Sequence, residues 1–394
     1  MSMHRESRWL TFALVGAFVT AAALWPSRHA FAAAYQQTDL VSDISGMAAV
    51  TDPNLANPWG MSFLPTGPMW VSDNAMGVAT LYNGSGQPFP VGSPLVVTIP
   101  PPSILPPTTM AAPTGNVFNP TTDFGGDRFL FATEDGTISG WSGGTSAVLR
   151  VDNTIDPTTN TGPVYKGLAL ASSGGNNFLY AANFRDARID VFDKNFTNVT
   201  AKFPFTDPIG DMPSGFAPFG IRSLNGQLYV TYALQNDVKH DDVKGVGNGF
   251  VDIFNTDGTF VKRLITMGPL NSPWGLAIAP PDFGSLSNDL LVGDFGDGLI
   301  HAFDPITPET LLGTLNDSQG NPIMIDGLWG LNFGNGFTAG PSNTLFFTAG
   351  INDEMNGLFG TLTTVPEPSA LALTGTALLG AALYRRRDRK GLRA

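Results

Sequence analysis

Ser272-Pro273-Trp274-Gly275-Leu276-Ala277-Ile278 is the stretch that decides how this chain is built, because variants of it return at nearly constant intervals. Pro58-Trp59-Gly60-Met61 comes first. Pro113-Thr114-Gly115, Tyr165-Lys166-Gly167-Leu168, Pro218-Phe219-Gly220-Ile221 and Leu328-Trp329-Gly330-Leu331 complete the series. From glycine to glycine the steps are 55, 52, 53, 55 and 55 residues. Six copies of one supersecondary unit mean one repeat domain rather than several unrelated ones.

Each copy follows the same plan. A short apolar run after the glycine is followed by a second strand, a polar turn, and a third strand ending in an aromatic and an Asp or Asn. Gly298-Leu299-Ile300-His301-Ala302-Phe303-Asp304 and Arg188-Ile189-Asp190-Val191-Phe192-Asp193 are such third strands. Their two-residue alternation is that of a half-buried strand. In most units a fourth strand follows, as in Leu95–Ile99 or Phe260–Ile265. Four antiparallel strands in about 50 residues, six times over, predict an all-β, six-bladed β-propeller. The sixth copy ends after its third strand, so closing the ring without an exposed edge needs a strand from elsewhere. Tyr35–Val41, ahead of the first copy, is expected to complete blade six. The proline suits entry into an innermost strand because it fixes φ and offers no N–H. The glycine suits the crowding of backbones near the axis.

Charged residues make up only 14%, whereas Gly (46), Pro (31) and Phe (28) are plentiful, as a turn-rich β protein with a large core requires. The formal charge of −12 is unevenly spread: residues 1–34 carry +2 and residues 384–394 carry +5, which leaves −19 on the body. Such a body repels nucleic acid and anionic lipid and attracts cations. With no cysteine, disulfides, thiolate metal sites and a cysteine nucleophile are excluded.

Both ends read as addresses. Residues 1–32 have basic Arg5 and Arg8, an apolar run from Leu10 to Trp25, and Ala30-Phe31-Ala32 as a small-residue cleavage site for signal peptidase. An uncleaved anchor is the competing reading. At the other end Val365-Pro366-Glu367-Pro368-Ser369 precedes an apolar stretch, Ala370 to Leu383, and then Tyr384-Arg385-Arg386-Arg387-Asp388-Arg389-Lys390. The stretch is shorter than the ~20 residues of a typical spanning helix, and the arginines would hold its far end in the cytoplasm. Pro366, Glu367 and Pro368, a short apolar transmembrane helix and a basic terminus together resemble the PEP-CTERM sorting signal of Gram-negative bacteria. That resemblance, confined to 365–394, implies processing by an exosortase and delivery to the cell surface or matrix. A plain C-terminal anchor is the alternative. Membrane contact would then be limited to this helix before processing.

Between them, 35–364 resembles NHL-repeat propellers in its Pro-x-Gly-Ile-Ala, Tyr-Val-Ala-Asp and Arg-Ile-x-Val-Phe-Asp segments. As a whole it is similar to a family of secreted, PEP-CTERM-associated six-bladed propellers. Asn57-Pro58-Trp59-Gly60, Ser272-Pro273-Trp274-Gly275 and His240-Asp241-Asp242 with Gly249-Phe250-Val251-Asp252 carry the match. It implies a fold and a destination, not a reaction.

In a propeller the loops entering the first strand and those joining the second to the third share one face. That face is expected to gather Asn57, Asn74, Asp135, Lys166, Asn183, Asp186, Asp297, Asp326, Asn352 and Glu354 with the site candidates named next. Asp73, Asp237, Asp241, Asp242, Asp294 and Asp353 are candidate oxygen ligands for Ca²⁺ or Mg²⁺. The competing reading is that Asp and Asn serve tight turns through local backbone bonds. Without the signal peptide only His240 and His301 remain, so a His-rich zinc site is excluded. His301 sits within a predicted strand and reads as structural. His240, in the long loop Ala233–Asn248, and Glu134 are the candidates for acid–base or metal work. The proline-rich loop from Pro100 to Pro113 reads as an extended surface excursion. No Gly-x-Ser-x-Gly elbow, P-loop or dinucleotide fingerprint is present.

The expectation is an exported, non-catalytic surface or exopolysaccharide-matrix protein with a polysaccharide or surface-protein partner. The alternative is a divalent-cation-dependent, lactonase-like hydrolase or lyase acting at the channel mouth.

Overall fold

The computed structural model describes residues 34–155 and 161–365. The proposed signal peptide and its cleavage site, the Pro366–Pro368 motif and the apolar stretch after it lie outside the described residues. Among those described, no helix is long and apolar enough to cross a membrane.

Six sheets form the blades of a propeller. Blade one has strands Pro58–Ser62, Met69–Asp73, Val78–Tyr82 and Val96–Thr98. Blade three, Tyr165–Ser173, Asn176–Asn183 and Arg188–Asp193, has three strands among the described residues, and the Phe192–Asn198 bridge with a bond from the Val199 N–H to the Val191 carbonyl stands where the fourth would be. Blade six joins Leu328–Phe333, Leu345–Ala349 and Leu358–Thr364 to the N-terminal strand Tyr35–Ser42. That strand pairs antiparallel with Leu358–Thr364, from Tyr35 against Thr364 to Ser42 against Leu358. The last blade is therefore closed by the chain's beginning, as its missing strand demanded.

The repeated glycines have a measurable reason. In all six blades the pairing of first and second strands slips at or beside the glycine, for instance between Pro58 and Met61 and between Leu328 and Leu331. This is a β-bulge, and it turns the backbone edge-on to its neighbour. A Cβ on Gly60 would lie 2.6 Å from the Thr114 carbonyl oxygen, on Gly220 2.2 Å from that of Trp274, and on Gly330 2.6 Å from that of Trp59. Each glycine meets the next blade, and Gly330 meets the first, so the ring closes on backbone contacts.

Hydrophobic side chains fill the wedges between blades. Met61, Val71, Tyr82, Phe346 and Phe359 pack between blades six and one; Tyr180, Val191, Ile221, Val230 and Phe254 pack between three and four. A further cluster sits on the axis itself: Trp59, Phe184, Phe219, Trp274, Phe295 and Trp329. The proline-rich segment crosses the surface, with residues 103–110 mostly exposed, and Ser103 is tied to Asp152 through its N–H and hydroxyl.

Candidate functional site

The residues preceding the six glycines are Trp59, Thr114, Lys166, Phe219, Trp274 and Trp329. Their side chains start where the innermost strands start, so they converge on one mouth of the channel. Trp59 and Trp329 stack with ring centroids 3.5 Å apart, Phe295 stacks on Trp329 at 3.9 Å, and Trp274 stands edge-on to both tryptophans at 5.9 Å. These rings make the mouth's floor. Trp329 Nε1 donates to Asn57 Oδ1 (3.1 Å) and Trp274 Nε1 to the Lys166 carbonyl (3.0 Å), which fixes two indoles.

Lys166 is the one charged residue in the series, and the mouth is organised on it. Its side chain is 2% exposed, with the ammonium 5.1 Å from the Trp59 ring centroid. It donates to Glu134 Oε1 and lies 3.5 Å from Asp241 Oδ1. Burial works against the charge, but Glu134 and Asp241 hold the ammonium above the ordinary lysine range. From Glu134 a polar chain continues around the mouth. Asn74 Nδ2 donates to Glu134 Oε2 (2.9 Å), and Asn57 Nδ2 donates to Asn74 Oδ1 (3.3 Å) and Glu354 Oε2 (2.8 Å). Burial, with the Glu134 charge behind it, raises the Glu354 carboxyl.

The loop from Ala233 to Asn248 supplies the other side. His240 Nδ1 and Asp241 Oδ1 are 2.7 Å apart, and this bond, helped by Lys166, lowers the Asp241 carboxyl to about 2. An ionised carboxylate only accepts, so Nδ1 is the donor in this pair. Asp242 turns inward. Burial raises its carboxyl, and Oδ2 has no hydrogen-bond partner. Lys244 from the same loop sits 4.2 Å from the Phe295 ring centroid, a cation–π contact.

The candidates divide accordingly. Glu134, His240 and Asp241 come together, each offering a ligand atom within 4.8 Å of the others. Asp237 is exposed on the same loop and makes none of these contacts, and Asp353 is exposed in the turn before Gly357 with φ of 51°. Asp73 and Asp294 are placed differently from expectation. Both end second strands, and both are sealed inside their blades at 0% exposure. Asp73 Oδ2 accepts from Thr80 (2.8 Å); both oxygens of Asp294 lack a hydrogen bond, with His301 Nε2 3.5 Å away. Burial raises both carboxyls well above the ordinary range. Neither side chain can serve a ligand at the mouth.

Sequence reasoning placed Lys166 on this face without giving it a role. The signal was there: one basic residue in a series otherwise Trp, Phe or Thr. It also treated Pro-Trp-Gly as scaffold alone, whereas both of its tryptophans, with Trp329 of Leu328-Trp329-Gly330, form the floor.

No protein-family model matches the chain. An uncharacterized protein of Acanthamoeba polyphaga mimivirus is 34% identical over 336 residues, 82% of this chain and 78% of the relative. A second uncharacterized mimivirus protein is 31% identical over 334 residues, 82% and 84% respectively. Among solved structures, an auxiliary nutrient binding protein from Bacteroides ovatus superposes with a TM-score of 0.50 at 10% identity, covering 85% of this chain and 78% of that one. A streptogramin B lyase gives 0.46 at 12% identity over 84% and 97%. At these identities the structural likeness shows the fold alone.

Proposed function

We propose, from the premise that the chain belongs to one family with these two mimivirus proteins, that it is a binding propeller whose acidic, aromatic-floored mouth grips a cationic, hydroxyl-rich partner. The observation that carries this is the position of Lys166. Its ammonium occupies the ground between Glu134 and Asp241, so the carboxylates there already hold a cation built into the chain. Glu354, Asp241 and His240 are left around the rim, over a rigid aromatic floor whose indoles are themselves sealed, with Trp59 and Trp329 each 1% exposed, so recognition falls to the carboxylates and amides of the rim. An amino sugar polymer has both the charge and the hydroxyls.

Delivery is part of the proposal. Residues 1–32 would direct export through signal peptidase, and 365–394 would act as the exosortase-read sorting segment, placing an NHL-like propeller at the surface or in the matrix of a Gram-negative cell. The support is the order of motifs in this chain. If a Pro366→Ala, Glu367→Ala double variant is cut and located as the parent is, the sorting assignment fails.

Binding is tested with chitosan oligomers against neutral chito-oligomers of equal length. The cationic series should bind with an affinity that falls as salt rises, and Glu354→Gln and Asp241→Asn should each weaken it about tenfold. Equal binding of both series, or of neither, sinks the reading.

A divalent-cation hydrolase or lyase is the second reading, favoured by the Glu134–His240–Asp241 grouping. An ion there would have to displace the Lys166 ammonium from Glu134. Titrating Ca²⁺ or Mg²⁺ should leave the melting temperature unmoved. A rise that disappears in His240→Ala, with lactonase or lyase turnover lost in parallel, would favour the enzyme.

A further inference from the structure

Below the tryptophan floor the channel reopens toward the opposite end of the ring. A neck lined by Gly60, Gly115, Trp274 and Leu276 has about 20 Å³ of space, room for a single water. It shares Met61, Asn116, Leu168 and Arg222 with a 270 Å³ cavity beyond. One wall of that cavity is apolar, with Phe63, Val117, Phe118 and Leu170. The other is polar, with Ser62, Asn332 and Arg222. Neither space is lined by an acidic residue.

Arg222 is the anomaly. Arg150, Arg188 and Arg263 each meet a carboxylate: Asp127 at 2.6 Å, Asp190 at 2.6 Å, and Asp252 and Asp207 at 2.8 and 2.7 Å. Arg222 meets none. It reaches from blade four across the axis to blade six, where Nη1 donates to the Leu331 carbonyl and Nη2 to Asn332 Oδ1, both at a long 3.3 Å. A guanidinium has five N–H donors in a fixed fork, so most of this one's capacity is unused. Burial pulls its pKa down to about 10 with no acid to offset it, so it stays charged at neutral pH. The side chain is half-buried in the cavity wall, a partly desolvated charge with no counter-charge beside it. In a chain of net charge −12, a partner carboxylate was available to evolution and is not present here.

We propose that this cavity is a second binding site, separate from the mouth, which takes a small organic monocarboxylate: the carboxylate on the Arg222 fork, the apolar body against Phe63, Val117 and Phe118. One guanidinium with no second cation matches one negative charge, and planar bidentate pairing favours a carboxylate. The volume is near the lower bound of ordinary ligand pockets, which sets the ligand's size. The proposal does not depend on the function assigned to the mouth, because the tryptophan floor separates the two.

Calorimetric titration of the purified full chain with octanoate and with octanamide, its uncharged analogue, tests it. Octanoate should bind, octanamide about tenfold more weakly or not at all, and added salt should narrow the gap. Arg222→Met should remove the preference for the charged ligand. Arg222→Lys, which keeps charge but not the fork, should recover only part of it. Phe118→Ala should weaken octanoate while leaving acetate unchanged. Equal binding of octanoate and octanamide, binding of neither at millimolar concentration, or an unaltered Arg222→Met would overturn the proposal. Should Arg222→Met fail to fold, the charged-against-neutral comparison on the parent and Phe118→Ala still decide.

Discussion

Replacing Lys166 by Met tests the electrostatics of the mouth most directly. Methionine keeps the length of the stem and can pack against Trp59 and Phe184, so the substitution removes charge with little change of volume. What it leaves behind differs by partner. Glu134 is 13% exposed and loses its main counter-charge, whereas Asp241 is 60% exposed and is rescued by water. Breaking a buried pair from one side costs about 3–5 kcal/mol, and the exposed partner adds little, so the lower end applies. About 3 kcal/mol lowers the melting temperature of a domain this size by about 4 °C. The loss should also depend on pH. In the parent, Lys166 is raised above its unfolded value, so its contribution is complete at neutral pH and fades only in the alkaline range above it. In the variant, Glu134 and Glu354 face each other without the ammonium, and the Glu354 carboxyl, already raised by burial and by the Glu134 charge, loses the Lys166 charge that held it down. Stability then falls as pH climbs through the carboxylate range. The deficit should be small near about pH 4.5 and complete by about pH 7.5, and adding Glu134→Gln should recover most of it. Urea titrations at both pH values measure this. A deficit of equal size at the two pH values, or a double variant that is worse than the single, would refute the pairing argument.

Three further outcomes follow from the packing. Gly330→Ala puts a methyl 2.6 Å from both the Trp59 carbonyl oxygen and Thr348 Oγ1, so it should cost several kcal/mol, whereas Gly143→Ala, with open space around it, should be near neutral in the same melts. Asp294→Asn should stabilise: the parent carboxyl is raised by burial, so stability falls as pH rises through the carboxylate range, and the gain should grow from pH about 4 upward and vanish below it. Deleting residues 1–42 removes the strand paired with Leu358–Thr364 and should give a chain that associates through the bared edge, read by size-exclusion chromatography.

The blades were legible because their requirements are local and repeated. A bulge beside a neighbouring backbone excludes a side chain at Gly60, Gly220 and Gly330 alike, so the sequence states the rule six times. The closing strand was legible too, since a unit short by one strand needs one from the other terminus. The mouth was only partly so. Asn57–Glu354 and Asn74–Glu134 are contacts between neighbouring blades far apart in sequence, invisible until the blades are placed. Asp73 and Asp294 misled because each ends a strand before a polar turn, the setting of a surface residue. Their side chains point along the pleat into the blade, and only the register reveals which way.

Arg222 was missed for a related reason. In Phe219-Gly220-Ile221-Arg222-Ser223 it reads as one polar residue on the solvent side of an alternating strand. On an innermost strand there is no solvent side of that kind: past the axial glycine one face turns to the next blade and the other to the channel. A charge there faces the cavity and is only half-shielded from bulk water. The tryptophans above it divide the channel into two chambers of opposite character, carboxylates over indole on one side and a guanidinium over phenyl rings on the other. Perturbing one chamber should leave the other intact. Lys166→Met should bind octanoate as the parent does, and Arg222→Met should keep the parent's response to cationic oligomers. Cross-talk between the two would mean that the indole floor transmits strain rather than sealing the axis.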